Sequence, residues 1–469
     1  MHVWLYAAPI AAALVAATAS LSQAEPLQLH PRNPHYFLFR GKPTVLIGSG
    51  EHYGAVLNLD FDYDRYLNEL ARNRLNHTRT FSGVYCEPSG AFTIARNTLA
   101  PAAGRYCAPW ARSDKPGYAN GGNLFDLTRW DDAYFARLKD FLRKASRKGV
   151  VVELNLFCPF YREAMWALSP MNAANNVNGV GNVARTNVYT LDKNGGLLAV
   201  QEKLVRKIVT EVNGFDNLYF EICNEPYFGG VTMDWQHHIA DLIAETERTL
   251  PNKHLVSMNI ANGSARVKNP HPAVSILNFH YASPPDAVAI NYDLNRAIGD
   301  NETGFKGTDD TPYRMEAWEF LLAGGSLFSH LDYSFAVGHE DGTFEYPSTQ
   351  PGGGNAGFRR QMRVLREFMD SFDFLSMKPD TTCIKRLPDG FRARALAEPG
   401  RQYAIYLFGK GGDEITIELP QGRYDLRWVS PLDGSELGVR KVVHAGGAFA
   451  IPMPAHGDDL ALSIKAGRR

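Results

Sequence analysis

Two glutamates in this chain sit where a pair of carboxylates could work on one substrate. Glu225 closes the segment Asn217-Leu-Tyr-Phe-Glu-Ile-Cys-Asn224-Glu225-Pro226, and Glu302 closes Arg296-Ala-Ile-Gly-Asp-Asn-Glu302. In the first segment Leu218, Phe220 and Ile222 alternate with Tyr219, Glu221 and Cys223, the period of a strand with two different faces. Pro226 cannot continue a ladder, so the strand stops there with Glu225 at its carboxyl end. In a parallel α/β barrel that end carries the chemistry. Carboxylates paired across a barrel mouth suit double-displacement glycoside hydrolysis. One attacks the anomeric carbon, while the other protonates the leaving oxygen and then activates water. Their environments must differ, one held ionised and the other protonated. For either glutamate alone a buried ion pair is the plain alternative; a pair at two strand ends favours the chemical reading.

The elements that must position them follow a regular alternation. Thr44–Gly48 is strand one, ending in Ser49-Gly-Glu51-His52-Tyr53, and Leu75–Phe81 is strand two, with a helix from about 62 to 74 between them. A long Gly-, Pro- and Asn-rich loop runs up to Asn123, and a loop of that length is usually functional or wholly irregular. A helix over 130–147, apolar at Tyr134, Leu138, Phe141 and Leu142, stops at Gly149. Strand three is Val150–Phe157, strand five His254–Asn259, strand six Ala273–Tyr281 and strand eight Ser326–Leu331. Helices over 197–213, 233–250, 312–323 and 357–372 complete the pattern, with little helix before strand six. Eight strands alternating with mostly helical connections predict a (β/α)8 TIM barrel over 25–376. From about Pro379 short alternating strands separated by turn residues predict a small antiparallel β-sandwich over 377–469. Before the barrel, Tyr36–Pro43 reads as a short hairpin.

Residues 1–24 read as a secretory signal peptide. An alanine-rich apolar run from Val3 to Ala17 is followed by Ser22-Gln-Ala24, a small-x-small cleavage site. The expectation is a secreted or periplasmic protein with no membrane span after cleavage. A net charge of −1 offers no basic field for nucleic acid. Hydrophobic residues at 45% and charged residues at 21% supply an ordinary globular core. In an exported protein Cys86 and Cys107, both in the long loop, could form a disulfide. No cysteine has zinc spacing, and Glu51-His52 does not supply the H-x-H that barrel metallohydrolases want, so neither metal nor other cofactor is expected. Trp110, Trp130, Trp235 and Trp318 could stack on sugars, but in or beside predicted helices such residues are mostly core.

With these motifs the barrel resembles clan A of the glycoside hydrolases, and family 5 in particular, over most of 35–375. The resemblance implies that Glu225, in Asn224-Glu225-Pro226, is the acid/base and that Asn224 bonds the sugar 2-hydroxyl. It implies that Glu302, in Asp300-Asn-Glu302-Thr-Gly304, is the nucleophile, kept ionised by Arg79 at the end of strand two. His280 and Tyr281 match the clan's strand-six pair, although they are adjacent where many family 5 members have one residue between them. Leu331-Asp-Tyr333-Ser-Phe335 stands where the clan usually has a tryptophan, and Tyr333 joins the substrate-binding candidates there. From the residues alone, Glu51 and His52 could grip a substrate hydroxyl or make a structural hydrogen bond, and Glu221 faces inward as a buried partner for Arg79. The C-terminal half is similar to a group of this clan whose barrel is followed by a domain labelled collagen-binding. Glu316-Ala-Trp318, Gly324-Gly325, Leu331–Phe335 and the run from Tyr424 through Trp428 to Gly434 carry that likeness. The expected function is retaining hydrolysis of β-linked glycans. The alternatives are a non-catalytic carbohydrate-binding protein on the same scaffold and a transglycosylase using the same site.

Overall fold

The computed structural model describes residues 25–467; the signal-peptide reading of 1–24 lies outside the described residues. Eight parallel strands form the barrel: β1 (Leu46–Gly50), β2 (His77–Phe81), β3 (Val151–Phe157), β4 (Leu218–Cys223), β5 (Val256–Asn262), β6 (Val274–His280), β7 (Ala297–Thr303) and β8 (Leu327–Leu331). They are ordered β1-β8-β7-β6-β5-β4-β3-β2. At the remaining seam, between β1 and β2, a side chain replaces part of the ladder. Asn76 accepts from the Ile47 amide at 2.9 Å and donates to the Val45 carbonyl at 2.9 Å. Buried backbone groups must be paired, and here an asparagine does it.

Helices α1 (Tyr63–Arg72), α2 (Asp132–Arg147), α3 (Leu197–Val212), α4 (Met233–Glu247), α5 (Asp286–Asn291), α6 (Asp310–Leu322) and α7 (Ala356–Asp370) cover the outside. Each starts where the sequence offers a cap or a turn. Asp62, Asp131, Thr232, Asp309 and Asn355 accept from first-turn amides of α1, α2, α4, α6 and α7. The connection from β5 to β6 carries no helix, as the sparse periodicity there predicts.

The amino end of the barrel is plugged by an N-terminal three-stranded sheet, Gln28–His30, Asn33–Phe39 and Lys42–Thr44. Arg40 and Gly41 turn the hairpin with φ of 50° and 73°, the left-handed pair that a tight two-residue turn demands. Leu27, Phe37 and Phe39 pack on Leu46, Val151, Tyr219, Ile276, Ala297 and Leu327, the lowest inward residues of the strands. Above that apolar plug the barrel interior turns polar, with His77, Arg79, Glu153, Asn155, Glu221, Ser257, Asn278 and Asn301 all buried. Buried charge of this density is expensive unless paired, and it marks the end of the barrel at which to look for a site.

The long segment after β2 is more ordered than its composition predicts. Trp110–Pro116 and Asn123–Trp130 form a two-stranded antiparallel ribbon, and the Arg112 guanidinium lies 3.7 Å from the centre of the Phe125 ring and 4.4 Å from that of Tyr118. The expected Cys86–Cys107 disulfide is corrected by the structure: both are free, buried thiols. They face different neighbours. Cys86 meets Tyr118 and Tyr106, whereas Cys107 lies by Asp131 and Arg137.

Beyond α7 the chain enters a sandwich of a six-stranded and a three-stranded antiparallel sheet, with its own core around Tyr403, Ile405, Ile415, Leu426, Trp428 and Leu462. It is fixed to the barrel through α6. Arg314 forms a buried ion pair with Asp459 at 2.8 Å, Tyr406 donates to the same carboxylate at 2.9 Å, and Trp318 stacks on Tyr406 with ring centres 5.4 Å apart. Trp110, Trp235 and Trp318 are fully buried core.

Candidate active site

The carboxyl ends of β4, β6 and β7 bring Glu225, His280 and Glu302 together. One carboxylate oxygen of each glutamate and a ring nitrogen of His280 all lie within 4.8 Å of one another. Nδ1 of His280 reaches both carboxylates, at 3.2 Å from Glu225 and 3.4 Å from Glu302. The remaining contacts are distinct. Glu225 accepts from the Tyr161 hydroxyl at 2.7 Å and the Tyr227 hydroxyl at 3.4 Å. Glu302 accepts from the Tyr53 and Tyr281 hydroxyls, each at 2.8 Å, and from Nη1 of Arg79 at 3.1 Å. Burial alone would raise the Glu302 carboxyl. The positive His280 ring, Arg79 and the Tyr281 hydroxyl outweigh that and hold it far below the usual carboxylate range. Burial likewise opposes charge on His280, but the two glutamates push the imidazole up to about 10.

Arg79 is the hub beneath this pair. Its Nε donates to Glu153 at 2.6 Å, and its Nη2 donates to Glu221 at 2.7 Å and to the Asn224 side-chain oxygen at 2.8 Å. The Glu221 contact is the one expected from its inward place on the strand, four residues before Glu225. Three carboxylates around one guanidinium cannot ionise equally. Against the cost of burial, Arg79, His77 and Tyr219 draw Glu153 down to about 2. Burial and the Glu153 charge push Glu221 up to about 7, although Asn278 and Arg79 donate to it. Asn301 bridges Glu153 and Glu221 at 2.9 Å each. Glu302 and Glu153 therefore carry the negative charge that balances Arg79.

A cavity of about 580 Å³ opens over the pair. Of the residues the sequence singles out, Glu225, Glu302, Asn224, His52 and Tyr281 line it. Burial pushes the His52 imidazole down to about 4, with Glu302 opposing and Arg79 reinforcing, so this ring faces the cavity neutral. Arg79 and His280 lie directly beneath. Glu51 and Tyr333 are placed elsewhere. The Glu51 carboxylate accepts from the Gly54 and Ala55 amides at 2.8 and 3.0 Å and from the Thr98 hydroxyl at 2.5 Å, which ties the β1 loop to the β2 loop. Of its two readings, the structural hydrogen bond is the one observed. Tyr333 is buried behind the wall, edge-on to His52 and Phe305.

Sequence reasoning misses Tyr53, Tyr161, Asn262, Glu87 and the rings of Phe92, Phe228 and Phe305, which also line the cavity. Tyr53, Glu225 and Tyr281 have φ of 60°, 35° and 52°. Left-handed backbone at non-glycine residues costs about 1–3 kcal/mol each and clusters at functional sites. No pattern of side-chain types announces it. Asn262 is reached because β5 runs three residues past its predicted end at Asn259.

The cluster of Glu225, His280 and Glu302 has the spacing of metal ligands, but its surroundings are built for something else. A guanidinium contacts Glu302, and phenol hydroxyls donate to both carboxylates, which leaves a divalent cation in competition with a fixed positive charge. What the arrangement can do is hold one carboxylate ionised beside a second that accepts from two tyrosine hydroxyls and shares His280 with the first.

No protein-family model matches this chain, and no curated protein matches it. Solved structures do. A structure described as a glycoside hydrolase from Bacteroides vulgatus aligns with a TM-score of 0.67 at 13% identity, covering 95% of this chain and 83% of its own. A second glycoside hydrolase aligns with a TM-score of 0.63 at 14% identity over 95% of this chain and 98% of its own. A family 5 glycoside hydrolase from Bacteroides vulgatus aligns with a TM-score of 0.63 at 14% identity over 94% of each chain. At such identities the likeness is one of fold: a TIM barrel with a C-terminal β-sandwich, the architecture these glycoside hydrolases share with this chain.

Proposed function

We propose that this chain is a secreted, retaining glycoside hydrolase acting on β-linked glycans, with Glu302 as nucleophile and Glu225 as acid/base. The observation that carries the reading is the approach of the two carboxylates to within 4.8 Å, in one cavity, with Arg79 on Glu302 alone. Carboxyls about 5–5.5 Å apart suit attack by the enzyme itself, whereas about 6.5–9.5 Å leaves room for an intervening water. In the first step a Glu302 oxygen attacks the anomeric carbon, and Glu225 gives its proton to the departing glycosidic oxygen. The negative charge that Glu302 surrenders on forming the ester is the charge that Glu225 takes up. In the second step Glu225 accepts a proton from water, whose oxygen attacks the same carbon and releases Glu302. Tyr53, Tyr281 and Arg79 hold the leaving carboxylate in both steps, and Asn224, fixed by Arg79 and by Tyr161 at 2.9 Å, is placed to meet the sugar. No step calls for a cofactor.

The test is a screen of aryl β-glycosides and plant and microbial polysaccharides with the wild type and Glu302→Gln. Hydrolysis by the wild type that disappears in the variant supports the reading. Glycan binding without hydrolysis in both supports the carbohydrate-binding alternative instead. If transfer products exceed hydrolysis products at high acceptor concentration, the same site works as a transglycosylase.

A further inference from the structure

The cavity holds a third carboxylate that the two-step reaction leaves unused. Glu87 is 3% exposed and lines the same cavity as Glu225 and Glu302. Its backbone amide is pinned to the Leu99 carbonyl at 2.8 Å. Its carboxylate accepts from the Tyr85 hydroxyl at 2.9 Å and from the Asn97 amide at 2.5 Å, both neutral donors, and no cation pairs with it among the described residues. A buried carboxylate without a counter-ion is costly, so its place on a cavity wall calls for a partner that arrives from outside. Glu51 shows what a purely structural carboxylate looks like in this molecule. It is saturated by two backbone amides and a hydroxyl and lies off the cavity. Glu87 has one donor on each oxygen and therefore lone pairs left over. The segment that follows it is tightly bent: Phe92, Thr93 and Arg96 all have left-handed φ, of 52°, 61° and 48°. Phe92 and Leu99 from the same segment join it on the cavity wall and supply apolar surface for a ring face.

We propose that Glu87 is a specificity-determining residue that bonds hydroxyls of the sugar held in this cavity, so that rings offering hydroxyls in its direction are chosen over epimers that do not. The inference rests on the cavity being the glycan site of the proposed hydrolase. Burial, reinforced by the Glu302 charge, pushes the Glu87 carboxyl up to about 7, so the group can accept from a hydroxyl when ionised and donate to a ring oxygen when protonated.

The experiment compares kcat/KM for p-nitrophenyl β-glycosides of glucose, galactose, mannose and xylose in the wild type, Glu87→Gln and Glu51→Gln. Loss of a hydrogen bond to a charged group predicts that the ratio between the best and second-best glycone falls by about 10- to 100-fold in Glu87→Gln. In Glu51→Gln that ratio stays put while Tm drops. A loop-organising role for Glu87 would lower all four rates together with Tm and leave the ratio unchanged, and that result overturns the proposal. If Glu87→Gln does not fold, Glu87→Asp, which keeps the charge on a shorter arm, is read by the same ratio. If the wild type cleaves none of the four, the hydrolase reading is judged separately, by the polysaccharide screen with Glu302→Gln. The comparison then passes to calorimetric affinities for gluco-, manno- and xylo-oligosaccharides. Unequal affinities that level out in the Glu87 variant uphold the inference, and equal affinities or no binding overturn it.

Discussion

The chemistry of this molecule turns on a single guanidinium. Arg79 touches Glu153, Glu221, Glu302 and Asn224, and its carbon sits 4.4 Å from the centre of the Tyr53 ring. Arg79→Met leaves buried carboxylates without a partner, so it is expected to cost about 3–5 kcal/mol of stability in denaturant titration, and activity with it. The same cluster sets the dependence on pH. The carboxyls of Glu153 and Glu302 are depressed in the folded state, so their contribution is complete above the unfolded value near 4.5 and is lost as pH falls towards about 2. His52, pushed down to about 4, acts in the same direction, because the unfolded chain binds its proton first. His280 is raised to about 10, so its contribution is complete below about 6.5 and is lost as pH climbs to 10. Glu51, Glu87 and Glu221, raised to about 7, work against His52 between about 4.5 and 7, so urea titrations should show stability lost below about 4.5 and again as pH climbs towards 10. His280→Gln should flatten the alkaline side and, by releasing Glu302, weaken the acid side. At this scale Glu225 is legible in the sequence, because alternation and Pro226 fix where it must point, whereas the place of Arg79 comes from the resemblance to clan A. The tyrosines that finish the site are not legible. Tyr53 and Tyr281 reach Glu302 only because their backbone is left-handed, and Tyr161 arrives from a loop whose path no periodicity encodes.

At the scale of elements, the barrel is closed at its seam by a side chain and at its base by a hairpin. Asn76→Ala would strand the Ile47 amide and the Val45 carbonyl, at about 1–3 kcal/mol for each group left unpaired. Phe37→Ala would open a hole in the plug under six strands and is expected to cost about 3–5 kcal/mol. Thermal denaturation of the two variants checks both figures. The eight strands and the missing helix before β6 are visible in the sequence, since strands buried on both faces and amphipathic helices leave strong periodic signals. The ribbon of Trp110–Pro116 and Asn123–Trp130 is not. Its first strand is polar and ends on Pro116, the turn that follows is rich in glycine, and what holds the ribbon is Arg112 against Phe125 and Tyr118, a contact between residues that no local pattern links.

For the whole molecule, the sandwich is bound to the barrel rather than strung beside it. Trp318 of α6 is sealed against Tyr406, and Ala404, Ala461 and Leu396 of the sandwich belong to the barrel's apolar cluster. The Arg314–Asp459 pair lies in that interface at 2.8 Å, with both side chains buried. Asp459→Ala leaves the guanidinium uncompensated and is expected to cost about 3–5 kcal/mol. Calorimetry should show one transition for barrel and sandwich together, and two separate transitions would contradict a shared core. The change of grammar near Pro379 makes the second fold readable in the sequence. The interface is not readable, because α6 is buried nearly all round and its pattern does not tell which face meets the sandwich.

In the proposed reaction Glu302 attacks the sugar directly while Glu225 serves first as acid and then as base. The stereochemistry of the first product tests it most directly. Proton NMR of the fresh reaction on the best β-glycoside should show the β anomer of the released sugar before mutarotation. An α anomer appearing first would mean a single displacement by water and would contradict the account.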